Sequence, residues 1–539
     1  MNRIIVQIIA VCFLTMMTRS QASEIPQTNS TLNFGTDVVA HYDPELGDLN
    51  SDVAVAFNGW IYVAFSTDHM SPPGTDINMV ISKDSGLTWQ SFPAAIGGSH
   101  NGAAVYDLIV AGKDTNSLRV YLSYYEFSVA FPYPYGGVKV FDGLTGADLP
   151  YSRTFGDGTY GIGQIHLASD WENPAFGSNG YSVAIVYSTQ SGDSTSTDSL
   201  ICLVASDTAI NNYDYYLLDS SSSENIYNAS IGYGHSLAWS NGRYFISYMK
   251  GLEINFCRNT TSINSGFTIP ISINPIAGIP VGGAGYLKIV CQNSYTDNDS
   301  SGLSVMIMAK ALDSTGTSTY KIPWVIYNMQ AALTDYWFSE SVFPTVNDMS
   351  LGTFDASYSS VQDRFYLTGY NTDSAKLFTS IEDFNFSSGG SWFSVTDQYN
   401  DSVIDPATEP NPAITCSGDF AYTTWTMNTL GNFGRPIAQI MFDRQELPLI
   451  TTTNEIKTFS EYSIYPNPAN DKITIQNISG NKSVRISLFD INGRKVFDSN
   501  KTDSRIATIV TTDFVDGVYF VTISDEHNRL THQKIIIVH

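Results

Sequence analysis

The feature that most constrains what this chain can fold into is a weak internal repeat. Between about residue 35 and residue 447, short alternating runs recur roughly every 50 to 60 residues, a period that suits propeller blades. The first unit is the clearest. Val53–Phe57 alternates, Asn58-Gly59 supplies a hairpin turn, Trp60–Phe65 returns, and Ile77–Ile81 leads into a second turn. The same hairpin grammar recurs at Ser236–Tyr248 around Asn241-Gly242, at Ala356–Tyr370 around Gln362-Asp363 and at Ala413–Trp425 around Ser417-Gly418. Looser copies lie at Ala104–Tyr125, Ile165–Tyr187 and Leu287–Met308, giving seven units; six or eight fit as well, because three units are loose.

Composition agrees with strands joined by tight turns, for the chain carries 32 Tyr and 41 Gly among 539 residues. Its 52 acidic against 27 basic residues give a formal net charge of -25. That excess excludes nucleic acid as a partner, since phosphate binding depends on Lys and Arg, and it disfavours an anionic membrane surface. Residues 1–22 read as a cleavable export signal: Arg3, an apolar run Ile4–Met17, then Ser20-Gln21-Ala22 before Ser23. Cys12 lies inside that run after Val11, which argues against a lipid anchor. No later stretch has the ~20 apolar residues of a membrane helix. The remaining cysteines, Cys202, Cys257, Cys291 and Cys416, show no metal-ligand spacing; they read as buried thiols, with a Cys202–Cys257 disulfide the alternative in an oxidising compartment.

The second turn of the first unit, Ser82-Lys83-Asp84-Ser85-Gly86-Leu87-Thr88-Trp89, fits S-x-D-x-G-x-T-W. Asp84 can accept backbone hydrogen bonds, Gly86 allows a positive φ, and Trp89 can pack between sheets. The segment resembles the Asp-box of sialidase-like propellers, which implies a folding device between the third and fourth strands, on the face away from the ligand. Looser relatives stand at Asn259–Phe267 and Ser380–Trp392. Sialidase activity itself is disfavoured: that family needs an Arg triad and an F-R-I-P segment. Here no Arg occurs between Arg19 and Arg119, and Phe433-Gly434-Arg435-Pro436 falls in the wrong unit.

After Pro448 a Thr-rich linker, 449–460, precedes a compact unit, 461–539. Tyr465-Pro466-Asn467-Pro468 opens it, Val484–Asp490 runs into a turn with Gly493 and Arg494, Gly517 precedes a strand through Tyr519, and Lys534–Val538 closes it. Alternation and turns alone give a small β-sandwich. In their order these landmarks resemble the type A C-terminal sorting domain of the Bacteroidetes type IX secretion system. The resemblance implies an address read by the translocon, removal by a sortase in some members, and no catalysis in this unit. The fold expected for the whole is therefore all-β: a seven-bladed (six to eight) β-propeller over 23–448, then a small immunoglobulin-like sandwich, secreted or held at the outer cell surface.

In such a blade the first strand lies nearest the axis, and the loops between second and third strands share the functional face with the crossings between blades. Counting seven residues back from the turn glycine places Asp52, His235 and Asn411 at the axial mouth, with His100 and Asp355 near that level. The histidines read as channel lining rather than metal ligands, and no metal or cofactor is expected. Asp297–Gly302 opens like a calcium loop, but Met308 at its twelfth position cannot ligate.

Three loops also reach that face: Asp68-His69-Met70 with Asp76, the aromatic segment Tyr124–Phe127 with Phe131–Gly136, and Met427–Arg435. Tyr133 and Tyr135 suit stacking on a sugar or apolar ligand, and Arg435 suits pairing with a carboxylate. Glycosidase or lyase chemistry would draw on Asp52, Glu126, Asp170, Glu172 or Glu409, though no spacing selects a pair. The reading is a surface propeller that binds a glycan or protein ligand. The alternatives are a polysaccharide-acting glycosidase or lyase, and an adhesin or gliding-associated protein.

Overall fold

The computed structural model describes the chain from Asp37 to Glu446 and from Tyr462 to His539, apart from breaks of which 171–180, 274–285, 294–302, 340–353 and 399–409 are the longest. The chain divides into two compact units, Met1–Pro448 and Leu449–His539. Among the described residues the regular elements are all strands.

In the first unit, β1 (Val38–His41) is followed by β2 (Gly47–Val55), β3 (Ile61–Met70), β4 (Pro73–Ser82) and β5 (Gln90–Ile96), which pair in that order as the first sheet. The second sheet is β6 (Gly102–Ala111), β7 (Arg119–Phe127), β8 (Tyr135–Asp142) and β9 (Arg153–Phe155). The third is β10 (Gly161–Ser169), β11 (Ser182–Gln190), β12 (Asp198–Ser206) and β13 (Asp214–Ser221). The fourth is β14 (Ile226–Gly234), β15 (Arg243–Lys250), β16 (Glu253–Arg258) and β17 (Ile271–Ser272). In the fifth, β18 (Leu287–Cys291) and β19 (Ser304–Ala309) are separated by a small ribbon, β20 (Ala311–Leu312) with β21 (Tyr320–Lys321), from β22 (Trp324–Gln330) and β23 (Leu333–Ser339). The sixth is β24 (Phe354–Ser359), β25 (Arg364–Asn371), β26 (Lys376–Asn385) and β27 (Gly389–Gln398). The last holds β28 (Ala413–Ser417), β29 (Phe420–Leu430), β30 (Pro436–Glu446) and, as its fourth strand, β1.

Among the described residues this unit thus forms seven four-stranded antiparallel sheets. The two ends of the unit meet in one of them, with Val38 opposite Phe442 and Val39 opposite Met441. The first strands pack side by side in the order β2, β6, β10, β14, β18, β24, β28 and back to β2. Strand alternation supplies the glue between sheets. Ala54, Tyr62 and Met79 of the first sheet share a buried cluster with Val105, Val120 and Phe141 of the second; Val53, Val63 and Val80 share another with Ala413, Tyr422 and Ile440 of the last. Each such aliphatic or aromatic side chain contributes about 1.5–3 kcal/mol when fully buried.

The turn from β4 to β5 is organised by side chains. Asp84 Oδ1 accepts Thr88 N–H at 2.8 Å and Oδ2 accepts the Thr88 hydroxyl at 2.6 Å, while Ser82 Oγ accepts Gly86 N–H at 2.8 Å. Gly86 holds φ +91°, and a Cβ there would run into the Phe442 ring, against which Trp89 packs edge-on at 5.0 Å. At Asn259–Phe267 a related turn is closed by Asn259 Nδ2 donating to Ser265 O at 2.9 Å.

One unit is displaced from its sequence reading. The described residues before Gly242 do not supply a first strand: Trp239 N–H donates to Ser236 O at 3.0 Å and Gly242 N–H to Trp239 O at 2.8 Å, as in turns. The first strand is the preceding β14. Trp239, an apolar residue in that run, is buried with Phe245 and Leu303 rather than paired in a ladder.

The second unit comprises β31 (Tyr462–Tyr465), β32 (Lys472–Asn477), β33 (Val484–Asp490), β34 (Lys495–Lys501), β35 (Ile506–Val510), β36 (Gly517–Asp525) and β37 (Leu530–Ile537). They form a three-stranded sheet, β31-β32-β35, and a four-stranded one, β34-β33-β36-β37. Ile473, Ile475 and Ile509 of the first meet Leu488, Val521 and Ile535 of the second in one core. Tyr465 is exposed, Tyr519 is buried with its hydroxyl donating to Val515 O at 2.7 Å, Gly517 pairs with Ile537, and Lys534 pairs with Phe520. Pro466, Asn467, Pro468, Gly493 and Arg494 lie outside the described residues.

Candidate functional site

A single recurring bond aligns the first strands. Leu108 N–H donates to Asp52 Oδ2 at 2.6 Å, Leu167 N–H to Asp107 Oδ2 at 2.8 Å, Ile289 N–H to Ser230 Oγ at 3.1 Å and Ile414 N–H to Asp355 Oδ2 at 2.9 Å. In each case the acceptor stands on one first strand and the amide on the next. The residue before each amide takes the same level, so one ring runs Asp52, Asp107, His166, Ser230, Lys288, Asp355 and Ala413.

Backbone irregularities sit directly before this level. Pairing with the second strand shifts between Leu49 and Asp52, Val105 and Asp107, Ile162 and Ile165, and Tyr227 and Ser230. Asn50, Asn228 and Asn411 adopt φ of 46°, 50° and 37°, the left-handed region that Asn tolerates better than most residues. Such bulges re-aim the side chain that follows. Asn411 Nδ2 donates to Asn50 Oδ1 at 2.9 Å, tying the last first strand to the first.

The ring is charged and partly open, with side chains of Asp107 and Lys288 17% and 24% exposed. Two pairs organise it: His166 Nδ1 donates to Asp107 Oδ2 at 2.9 Å, and Lys288 Nζ lies 2.7 Å from Asp355 Oδ1. Burial and the neighbouring Asp107 and Asp355 carboxylates push the Asp52 carboxyl up to about 8, only partly offset by Lys288. Asp107 goes the other way. Burial would raise it, but His166, Lys288 and the Leu167 amide outweigh that and hold it below the ordinary carboxylate value. Lys288 stays protonated although burial opposes its charge, because Asp355, Tyr286 and Asp107 surround it. Tyr106 completes the surroundings, 6.0 Å from the His166 ring and 5.9 Å from Tyr125.

Of the residues singled out from sequence, Asp52 and Asp355 belong to this ring and Asn411 adjoins it. His235 does not. It follows the end of β14, where its N–H donates to Gln292 O at 3.0 Å, and Ser230 occupies the ring position instead. Counting seven residues back from Gly242 falls short, because more residues separate the first strand from that glycine than at Asn58-Gly59. His69 pairs with Gly74 near the tip joining β3 to β4. Tyr135 opens β8 opposite Glu126, whose carboxylate accepts its hydroxyl, and burial with that acid raises the phenol. Asp170 accepts Ser182 N–H in the third sheet. His100, Tyr133, Arg435, Glu172, Glu409 and the segment Asp297–Gly302 lie outside the described residues.

Sequence reasoning missed Asp107, His166 and Lys288. Each is a lone polar residue followed by an apolar one inside a strand, as in Ile165-His166-Leu167 and Leu287-Lys288-Ile289, which repeats the context of Asp52 and Asp355. Among the described residues no group of three or more His, Cys, Asp or Glu is placed to hold a metal ion. Cys202, Cys257, Cys291 and Cys416 are free thiols, and burial pushes Cys257 and Cys416 up to about 12, far from nucleophilic.

Residues 463–538 match the secretion system C-terminal sorting domain family. A stretch of 78 residues is 30% identical to an endo-acting ulvan lyase of Formosa agariphila, 14% of this chain and 15% of that protein. The chain thus matches well under two thirds of that relative's length. Similar solved structures include a protein of unknown function from Dyadobacter fermentans (11% identity, TM-score 0.41, covering 78% of this chain and all of that one). They also include a Penicillium chrysogenum alpha-L-arabinanase (10%, 0.35, 76% and 98%) and a Trypanosoma rangeli sialidase (8%, 0.36, 90% and 83%). The sorting domain marks the chain as cargo of the type IX secretion system, exported to the cell surface or beyond.

Proposed function

We propose that this exported chain binds a glycan at the axial mouth of a seven-bladed propeller, with the Asp52–Asp355 ring as its polar floor. On this reading the seven sheets are blades, β1 closes the ring, Ser82–Trp89 is an Asp-box, and the second unit is an immunoglobulin-like sandwich. The observation that carries the reading is the convergence of Asp52, Asp107, His166, Lys288 and Asp355 from successive first strands. A partly open set of carboxylates, an ammonium and an imidazole, bordered by Tyr106 and Tyr125, offers donors and acceptors to hydroxyls and faces to ring C–H groups.

The second reading is a polysaccharide-acting glycosidase or lyase. Asp52 pushed up to about 8 beside an Asp107 held low is the separation that acid and base roles require. The test is a glycan array on the full chain, with the same glycans followed by mass spectrometry. Binding without release, lost on Lys288→Ala, supports the lectin-like reading. Release that stops in Asp52→Asn while binding persists supports the enzyme. Neither binding nor release overturns both.

A further inference from the structure

A second place on the first unit has the composition of a sugar site. At the seam where the last sheet meets the first, a cavity of about 390 Å³ opens between β1 and the β4–β5 turn, with His41, Tyr42, Leu87, Trp89, Gln90 and Ser91 among its walls. Its eleven lining residues include no carboxylate, ammonium or guanidinium, which sets it apart from the charged axial ring.

Its polar groups are oriented. Asp48 is fully buried and accepts His41 Nδ1–H at 2.7 Å and the Thr67 hydroxyl at 3.0 Å, and Thr67 in turn accepts Asn78 Nδ2–H at 3.0 Å. A carboxylate can only accept, so Nδ1 carries a proton and Nε2 is the ring nitrogen left to exchange a hydrogen bond with a ligand hydroxyl. The imidazole is held further by the Phe65 ring at 4.5 Å. Trp89 contributes its ring to the cavity wall, while its Nε1 is buried with no acceptor. Gln90 and Ser91 add groups that both donate and accept. The apolar part is exposed to match: Tyr42 is 41% and Leu87 75% accessible.

We propose that this seam cavity binds one or two uncharged sugar rings of a glycan chain. A neutral sugar presents a C–H face to Tyr42 and Leu87 and hydroxyls that can both donate and accept toward His41 Nε2, Gln90 and Ser91, whereas a uronate or sulfate finds no lysine or arginine there. The volume suits this ligand, since small-ligand sites run from about 300 Å³ upward. The proposal takes from the preceding section only that the ligand is carbohydrate; it does not use the axial ring.

The experiment is ¹⁵N-indole NMR on the full chain, with the Trp89 signal identified among the eight tryptophans by its loss in Trp89→Phe. Cellobiose, maltose and arabinobiose are titrated to tens of millimolar, with a glucuronate-containing disaccharide for comparison. A neutral disaccharide should shift the Trp89 signal saturably and the uronate should not. His41→Ala should weaken binding about tenfold, the scale of one well-placed hydrogen bond, and the exposed Gln90→Ala should weaken it without touching the fold. Asp355→Asn should leave the shift unchanged. The proposal is overturned when no neutral disaccharide moves the signal, or when Asp355→Asn abolishes the shift, which would assign binding to the axial mouth. A Trp89 shift that no axial variant alters would keep the seam site, whatever the glycan array finds at the axial mouth.

Discussion

Lys288 Nζ lies 2.7 Å from Asp355 Oδ1, and the two residues come from the first strands of adjacent sheets. The same Asp355 accepts Ile414 N–H through Oδ2 at 2.9 Å, so one carboxylate joins three consecutive first strands. Lys288→Met should therefore leave a buried carboxylate without its cation and destabilise the first unit by about 1–3 kcal/mol, below the fully buried value because the lysine retains contact with water. Adding Asp355→Asn, whose amide oxygen still accepts from Ile414, should recover part of that loss. Urea unfolding of the two variants measures both; a double variant no more stable than the single one would remove the pair's role.

Stability should depend on pH through Asp52. Its pKa in the folded chain is about 8 against 3.8 for the free side chain. A carboxyl raised on folding binds its proton more tightly in the folded state, so its contribution is full below about pH 4 and is lost as pH rises through about 8. Asp52→Asn deletes this dependence. The variant's melting temperature should gain on the parent between about pH 5 and about pH 9, and parallel curves would show that Asp52 titrates normally.

The seven-sheet pattern was legible because its carriers are local: Asn58-Gly59 with flanking alternation, and Ser82–Trp89 with its spaced Asp, Gly and Trp. The ring of first-strand residues was legible only where local spacing survives. Asp52 lies a fixed distance from a tight turn, and Asp355 could be placed by its alternating strand. His235 could not, since more residues separate the first strand from Gly242, which moves the ring position back to Ser230. The bulges at Asn50 and Asn228 add a second slip that alternation cannot register, because an inserted residue reverses the face of everything after it. Asp107, His166 and Lys288 acquire meaning only from one another, across sequence separations that no periodic pattern encodes.

Gly86 is the most exacting position of the β4–β5 turn. It combines φ +91° with a Phe442 ring where a Cβ would stand, so Gly86→Ala carries backbone strain and a clash with the closing sheet together. A loss of at least about 2 kcal/mol is expected. Thr88→Ala, which removes one hydroxyl donor to Asp84 but keeps the amide bond, should cost about 1 kcal/mol. Thermal unfolding ranks the two, and equal effects would mean that the turn tolerates a side chain at position 86.

Leu488→Ala tests whether export depends on the folded second unit. Leu488 is fully buried between its two sheets, beside Ile473, Val521 and Ile535. Truncation removes apolar area and leaves a cavity, a loss of about 2–5 kcal/mol, comparable to the whole stability of a unit this small. The first unit shares none of that core, so its own unfolding transition should be unchanged. If the translocon reads the folded domain, the variant should accumulate in the periplasm while the parent chain reaches the surface or the medium. Fractionation with an antibody to the first unit separates the cases: undiminished surface delivery of a variant whose second unit is unfolded would mean that the address is read from exposed sequence alone.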